Sequence, residues 1–454
     1  MLSESEDSNM SSVQKFLLSN PVSKKLYDRA LSSMPSGNTR DVVFYRPYPL
    51  YAVRGKGSHI WDVDGNERID YMLNASVLLL GHAHPKVVSA IKEQLENGTV
   101  LGTPTELEIR LAEKIVQMVP CAKKVKFVVT GSEACMNVLR VARAYTGKSK
   151  VIIFEGHFHG TADPTVSRSG TFHSQGILED TYTKQIIVPF NDTQKVEKAI
   201  KENKDELAAC ILEPVLGSGG GIPGTTEFLK TCREMTERNN VLLVFDEVQT
   251  GFRLAAGGAQ ERFGIVPDLV ALGKGVAGGM PGSAFGGRED IMDEVCSFPD
   301  SANPVRTGAR VPLGGTFNAH PLAMAAGLAH LNELRKPVFD HIDKAAATIR
   351  DGFSRIASDL GMRLQMTGIG SFFHVYFTKY PIKNYQDTRY ADPRLLWYLD
   401  VSLLNKGVYL SPAHCSYTCM PLSDEDVKHT LEAIEQSLMD MKPIVKEIAP
   451  DLIT

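Results

Sequence analysis

The sequence predicts an α/β fold with a mostly parallel sheet. Between about residues 105 and 272, short apolar runs alternate with segments in which apolar residues recur at helical spacing. Two of these runs, residues 207–212 and 241–245, contain only apolar residues, as strands covered on both faces do. Strands that alternate with helices form parallel sheets with helices on both sides. The centre of the chain is therefore predicted to be one such sheet with its helices.

The individual elements of this region follow from the same patterns. Strands are predicted at residues 126–130, 150–154, 207–212, 241–245 and 268–272, and helices at 107–119, 133–146 and 322–333. The strand segments are short and apolar, whereas the helical segments carry apolar residues on one face. The loops that connect them are expected at the two edges of the sheet.

The beginning of the chain has a different pattern. A flexible lead-in is expected up to about residue 20, followed by a helix at 22–34. Short strands are then predicted around the Asp-Gly-Asn turn at 64–66, and an amphipathic helix at 85–98. Short strands and turns of this kind are expected to pack with another part of the molecule.

The end of the chain indicates a separate α+β unit. Helices are predicted at 342–360, 393–405 and 424–441, with a strand at 372–377. The chain has 454 residues, which is too long for one ordinary core. We therefore expect three parts: an N-terminal segment (1–70) that packs with the small domain, a large domain (71–330), and a small α+β domain (331–454).

Composition and charge narrow the classes of function. The chain has 49 basic and 53 acidic residues, a net charge of −4, which gives no broad attraction for nucleic acid or anionic membranes. Its start lacks the basic and apolar regions of a signal peptide, and no apolar run could span a bilayer. The seven cysteines include no Cys-x-x-Cys pair, so neither a disulfide framework nor a structural zinc site is predicted. These features indicate a soluble, cytoplasmic protein.

Asp246 and Lys274 are the strongest candidates for chemistry. Asp246 ends an apolar strand, which places its carboxylate at the carboxyl edge of the sheet, where open α/β folds bind ligands. Alone it could equally bind a metal or nucleotide, or cap a helix. Lys274 follows the next strand between Gly273 and Gly275, and burial there would lower its pKa toward that of a nucleophilic amine. A lone lysine is usually a surface charge, so the prediction of a reactive site depends on Asp246 and Lys274 together.

Such a pair suits an aldehyde cofactor with a pyridine ring. A lysine amine forms a Schiff base with the aldehyde, and a carboxylate keeps the ring nitrogen protonated. A cofactor of this type also carries a phosphate. Gly131 and Ser132 follow a strand and open a helix, where backbone amides and a hydroxyl bind anions. Ser132 could instead be an ordinary helix N-cap.

The sequence resembles the class III aminotransferases, which are fold-type I enzymes dependent on pyridoxal 5'-phosphate (PLP), in the branch of glutamate-1-semialdehyde aminomutase. The likeness extends from about residue 30 to residue 433. The matching blocks are residues 61–65, 80–85, 102–106, 131–134, 154–160, 212–215, 245–248, 272–274, 278–282 and 314–318. The resemblance implies a large domain with a seven-stranded sheet, and a homodimer that acts on a small-molecule amino donor and a keto acceptor.

The resemblance also implies a role for individual residues. Lys274 would form the aldimine with PLP and carry the proton, and Asp246 would pair with the pyridinium nitrogen. Val248 and Phe158 would cover the two faces of the ring. The remaining implied ligands are those of the phosphate, namely Gly131, Ser132 and Thr316 of the partner subunit. His157 and His159 flank the stacking position, and no metal site is predicted there because no cysteine or carboxylate stands at ligand spacing.

Arg40 limits the range of possible substrates, because the resemblance places it where a substrate carboxylate binds. A guanidinium suits that role, although a surface arginine is the plain alternative. The sequence departs from true aminomutases at Ala75, where tryptophan is expected, and at Ser218, where asparagine is expected. Other segments are closer to aminotransferases of β-amino acids, such as β-phenylalanine aminotransferase. One departure from that enzyme is Ala413, which stands where it has an arginine in a late loop. We predict a β-amino acid aminotransferase, with a glutamate-1-semialdehyde aminomutase, a racemase or a decarboxylase as alternatives.

Overall fold

A seven-stranded sheet forms the centre of the molecule. The computed structural model describes residues 11–170, 174–298, 310–412 and 415–454. The strand order across the sheet is Lys124–Val128, Ser283–Gly287, Leu269–Leu272, Leu242–Glu247, Leu207–Leu212, Lys150–Phe154 and Gln185–Val188. Ser283–Gly287 runs antiparallel to both neighbours, and the other pairs are parallel. The prediction of an α/β fold with a mostly parallel sheet is confirmed.

Both faces of the sheet are covered, which explains the unbroken apolar runs. Successive side chains of a strand point to opposite faces. On one face, Val151 and Ile153 lie in a core with the helix Gly131–Thr146. On the other face, Ile152 and Phe154 lie in a second core with residues of the helices Thr193–Asn203 and Thr226–Arg238.

The helices predicted after residue 84 are present in the described ranges, with Lys336–Asp359 beginning six residues before its predicted start at Ile342. Five further helices in these ranges were not predicted, namely Glu179–Thr183, Thr193–Asn203, Thr226–Arg238, Gly258–Phe263 and Glu289–Cys296. The bounds of the predicted helices are Pro85–Glu96, Glu106–Met118, Gly131–Thr146, Pro321–Glu333, Lys336–Asp359, Pro393–Leu404 and Asp424–Ile448. The last helix continues seven residues beyond its predicted end at Met441, through Pro443. The part of the chain described here contains no helix with the length and apolar character needed to cross a membrane.

The N-terminal segment is more ordered than predicted. Ser12–Ser19 is a helix, where a flexible lead-in was expected, because Ser11 and Gln14 form a capping box and Phe16 is buried. The following helix, Pro21–Ala30, ends four residues before the predicted end at Met34. Residues 1–10 of the predicted lead-in lie outside the described part of the chain.

Short strands link the two ends of the chain. Ala52–Lys56, His59–Asp62 and Glu67–Asp70 form antiparallel pairs, and Val408–Tyr409 adds to Glu67–Asp70 in parallel. Gln365–Thr367, Phe372–Tyr376 and Ser416–Tyr417 form a separate antiparallel sheet, and Val215–Leu216 pairs with Ile222–Pro223. The segment before residue 71 therefore contacts the C-terminal region directly, while the predicted domain boundaries remain a prediction.

Candidate active site

Parallel pairing brings Asp246 and Lys274 to one edge of the sheet. Leu242–Glu247 and Leu269–Leu272 are neighbours, with Asp246 opposite Ala271. The chain leaves the second strand through Gly273, and Lys274 then adopts a positive φ of 48° at the start of a 3₁₀ turn that extends to Ala277. This conformation is uncommon for a residue with a Cβ atom and marks a constrained position.

The Lys274 amine lies in an environment that favours its neutral form. Burial lowers its pKa from 10.5 to about 8, although Glu213, Cys415 and Asp246 oppose that shift. Within the described ranges, the amine has neither a hydrogen bond nor an ion pair. A lysine with a lowered pKa and no partner is suited to reaction with an aldehyde.

The Asp246 carboxylate is buried, with 3% of the residue exposed. Its Oδ2 lies 2.7 Å from His159 Nδ1 and accepts a hydrogen bond from the Cys135 thiol at 3.2 Å. Its Oδ1 accepts from the Val248 amide at 3.0 Å. These contacts hold the carboxylate in one orientation.

Cys135, His159 and Asp246 are also the kinds of residue that bind metals. Their candidate ligand atoms all lie within 4.8 Å of one another. The hydrogen bonds that join them account for this proximity without an ion. The two flanking histidines are engaged separately, since His157 Nδ1 accepts from the Glu213 amide at 3.0 Å. The absence of a metal site remains a prediction.

Val248 is held between two glycines. A Cβ atom on Gly131 would lie 2.7 Å from Val248 Cγ1, and one on Gly273 would lie 2.9 Å from the same atom. The start of the Gly131–Thr146 helix, the segment after Asp246 and the approach to Lys274 therefore meet at this side chain. Larger residues at either glycine would force these segments apart.

The start of that helix has two open amide groups. Thr130, rather than Ser132, is the N-cap, and it forms a capping box with Glu133. Within the described ranges, the amides of Gly131 and Ser132 donate to no other group. The Ser132 hydroxyl accepts from the Thr161 amide at 3.2 Å. Open amides at a helix N-terminus form an anion site.

Phe158 is half-buried beside Glu213. Its amide donates to Glu213 Oε1 at 2.9 Å, while Glu213 Oε2 accepts from the Gly217 amide at 3.1 Å. Burial and the nearby Asp246 raise the pKa of Glu213 to about 7. Glu213 therefore connects the segment that carries Phe158 to the end of the Leu207–Leu212 strand.

Thr316 and Arg40 lie on exposed parts of the molecule. Thr316 lines a cavity of about 410 Å³ together with the loop at residues 100–104. The Arg40 guanidinium donates to Asn74 Oδ1. Asn74 belongs to the short segment Leu73–Ser76, which packs against Lys274–Ala277. Arg40 thus contacts a residue of a segment that packs against Lys274–Ala277, whereas Thr316 lies beside the loop at residues 100–104.

Residues 43–438 match the family described as aminotransferase class-III. The protein is a class III aminotransferase. Among its relatives are glutamate-1-semialdehyde 2,1-aminomutases of Methanocaldococcus jannaschii, 39% identical over 91% of this chain and 97% of the relative, and of Methanothermobacter thermautotrophicus, 38% identical over 92% and 99%.

Solved structures of transaminases share the fold of this aminotransferase. An ω-transaminase from Sphaerobacter thermophilus has 33% identity and a TM-score of 0.86, covering 92% of this chain and 98% of that one. A β-phenylalanine aminotransferase from Variovorax paradoxus has 32% identity and a TM-score of 0.87, covering 95% and 97%. This protein is therefore a PLP-dependent transaminase with the fold of the type I enzymes.

The residues of this transaminase fit PLP in three respects. Lys274 offers a buried amine without a partner. Gly131 and Ser132 offer open amides to a phosphate. Asp246 offers a fixed, buried carboxylate to a protonated ring nitrogen. The donor set therefore matches an aldehyde, a phosphate and a pyridinium group, and these residues are the ones we expect to hold them.

The sequence analysis did not identify three residues near the aminotransferase site, Glu213, Cys135 and Arg253, as functional residues. Glu213 directly follows the apolar strand Leu207–Leu212, so the reasoning used for Asp246 could have identified it. Cys135 and Arg253 gave no such signal, because their contacts join residues more than 100 positions apart. Ala413, predicted to stand where β-phenylalanine aminotransferase has an arginine, lies outside the described residues.

Proposed function

We propose that this aminotransferase moves an amino group from a β-amino acid to a keto acid, with Arg40 binding the carboxylate of the donor. The observation that carries the proposal is the contact of Arg40 with Asn74, on a segment packed against Lys274–Ala277. A guanidinium near the reacting centre is suited to a carboxylate, with which it forms paired hydrogen bonds.

The residues near Arg40 favour a β-amino acid over an α-amino acid. In a β-amino acid, the carboxylate lies one carbon further from the reacting centre than in an α-amino acid. The residue that binds this carboxylate must therefore lie on a more distant side of the substrate pocket. The Arg40 guanidinium is held by Asn74, on the segment Leu73–Ser76 that packs against Lys274–Ala277. Ala75, adjacent to Asn74, is small where an aminomutase is expected to have tryptophan, which leaves room for a substituent on the donor.

The chain's own residues divide the work of the reaction. PLP, when bound, supplies an aldehyde that condenses with amines and a ring that withdraws electrons. Lys274 would move the proton at the reacting carbon, and Asp246, oriented by His159, would keep the ring nitrogen protonated. Val248 and Phe158 would confine the ring. A fixed charge of this kind lowers the barrier because it requires no reorganisation during the reaction.

We also propose a homodimer in which Thr316 of the partner subunit completes the phosphate site with Gly131 and Ser132. Thr316 is exposed in the single chain, and Leu101 and Phe317 beside it have 50% and 57% of their surface exposed. An exposed apolar patch of this kind is typical of an interface. Sedimentation velocity would test the dimer, and a fully active monomer would contradict it.

Conversion of glutamate-1-semialdehyde is the second candidate, because relatives with that name are 38–39% identical to this chain. Against it stand Ala75 and Ser218 at two positions where the aminomutases are expected to differ. Ser218 accepts a hydrogen bond from Gln249 Nε2 at 3.1 Å, so its side chain is already engaged. A racemase or decarboxylase would use the same cofactor residues and is distinguished by its products.

A donor screen with the Arg40→Ala variant tests the proposal. β-Amino acids, α-amino acids, amines without a carboxylate and glutamate-1-semialdehyde are offered with a keto acid, and the new amino acid is quantified. Loss of a charge-assisted hydrogen bond costs about 1.5–3 kcal/mol, so kcat/KM for β-amino acids should fall roughly ten- to hundredfold. Amines without a carboxylate should be spared, and Arg40→Lys should retain part of the preference.

Two results would contradict the proposal. If Arg40→Ala lowers activity equally on donors with and without a carboxylate, Arg40 does not bind that group. If the wild type converts glutamate-1-semialdehyde well and β-amino acids poorly, the aminomutase is the correct function.

A further inference from the structure

Residues 73–76 form a left-handed turn beside the active site. The φ angles of Leu73, Asn74, Ala75 and Ser76 are 46°, 52°, 58° and 78°, and none of these residues is glycine. Residues with a Cβ atom avoid this region because the Cβ approaches the following carbonyl oxygen. Such residues occur singly in many turns, but four in succession require strong support from the surroundings.

Hydrogen bonds support both ends of this turn. At its start, Asp70 Oδ1 accepts from the amides of Met72 and Leu73 at 2.8 and 2.9 Å. At its end, the Ser76 carbonyl accepts from Arg253 Nε at 3.0 Å. Between these two points the turn packs against Lys274–Ala277 and Ser416–Tyr417.

Arg253 is buried in an unusual way. Only 2% of the residue is exposed, yet it makes no ion pair with any carboxylate in the described ranges. Its Nη1 donates to Ser371 Oγ at 3.1 Å and to the Thr418 carbonyl at 3.0 Å. Its Nη2 is buried without a partner. Burial lowers the pKa of Arg253 to about 10, so the side chain remains charged at neutral pH.

A buried charge without a counter-ion opposes folding, so a role other than stability is indicated. Arg253 is seven residues beyond Asp246 in the chain and joins the large sheet's edge to Ser76, Ser371 and Thr418. It is therefore the one side chain in the described ranges seen to fix the end of the left-handed turn by a hydrogen bond to its carbonyl.

We propose that Arg253 is a positioning residue that holds the Leu73–Ser76 turn left-handed, so that Asn74 orients the Arg40 guanidinium for the donor carboxylate. This inference rests on the proposed function of Arg40. The Asn74 side-chain oxygen accepts from one N–H of the guanidinium, and the other N–H groups have no hydrogen-bond partner within the described ranges. Without the turn, Asn74 would swing away from Arg40 and the carboxylate site would lose its fixed geometry.

The left-handed conformation is tested by Asn74→Gly and Asn74→Ala, which both remove the side-chain amide. Asn74 is exposed, so neither variant should unfold the protein. Glycine adopts a positive φ without strain, whereas alanine does not. The Gly variant should therefore have a melting temperature equal to or above that of the Ala variant. A clearly higher melting temperature for the Ala variant would contradict the left-handed conformation of residue 74.

The positioning role is tested by steady-state kinetics of Asn74→Ala and Arg253→Met. Methionine retains much of the arginine volume but has no donor. Both variants should raise KM for a carboxylate-bearing donor on the order of tenfold, with kcat on an amine without a carboxylate nearly unchanged. In an Arg40→Ala background, neither substitution should raise KM further, because the residue they orient is absent.

The outcomes separate the two proposals. If Arg40→Ala itself fails to discriminate between donors, the proposed function fails. If Arg40→Ala discriminates but Asn74→Ala does not, the positioning inference alone is overturned. Should Arg253→Met fail to fold, the Asn74 variants still decide whether the turn orients Arg40.

Discussion

Substitution of Gly131 by alanine should disturb the phosphate end of the site through a single contact. The new Cβ would lie 2.7 Å from Val248 Cγ1 and 3.0 Å from Cγ2. Val248 cannot move aside easily, because it also lies close to Gly273, where an added Cβ would come within 2.9 Å of the same Cγ1 atom, and because valine has few rotamers. The strain must therefore be relieved by a shift of the helix start that carries the open amides.

The size of this effect follows from the cost of overpacking, about 1–3 kcal/mol. If the strain is relieved at the phosphate site, the dissociation constant of PLP should rise roughly 5- to 150-fold. Val248→Ala removes both methyl groups in the contact. The double variant should therefore recover at least about 1 kcal/mol of PLP affinity relative to the sum of the single variants.

The assay is fluorescence or absorbance titration of the apoenzyme with PLP for the wild type, both single variants and the double variant. Melting temperatures of the apoenzymes show whether the strain also affects folding. Normal PLP affinity and stability in Gly131→Ala would refute the close contact. A double variant that is no better than the sum of the two single variants would show that Val248 is not the obstacle.

Two further predictions concern Asp246 and Lys274. Asp246→Asn should bind PLP nearly as well as the wild type does. Because a fixed charge is lost, proton removal from the donor should slow by a factor on the order of 10²–10³, measured by single-turnover absorbance. Normal turnover would exclude Asp246 as the pyridinium partner. The pKa of Lys274 is lowered to about 8, so the fraction of neutral amine rises as the pH increases through that value. The rate of PLP capture by the apoenzyme should therefore rise up to about pH 8 and level off above it. A rate that keeps rising toward pH 10.5 would indicate an unperturbed lysine.

The fold could be predicted where local pattern determines structure. Residues 207–212 and 151–154 are apolar on both faces, and the strands Leu207–Leu212 and Lys150–Phe154 have the predicted bounds. Ser283–Gly287 was missed because its sequence, Ser-Ala-Phe-Gly-Gly, has no β-branched residue and contains two glycines. It is a strand because its neighbours on both sides supply pairing partners, and that information is not local.

The candidate site was predictable to a similar degree. The strand ends located Asp246 and Lys274, since parallel pairing brings the ends of neighbouring strands together. The partners that orient Asp246 come from residues 87 and 111 positions away, which periodicity cannot reveal. The left-handed turn at residues 73–76 was also invisible, because none of its residues is glycine.

Reduction of the PLP-loaded enzyme with borohydride, followed by peptide mapping, tests the central assignment most directly. The purified protein should be yellow, and reduction should fix the cofactor covalently to one lysine. We predict a single labelled peptide that contains Lys274, and no label in the Lys274→Ala variant, which should also lack transamination. Label on another lysine of the wild type, or transamination by Lys274→Ala, would contradict it.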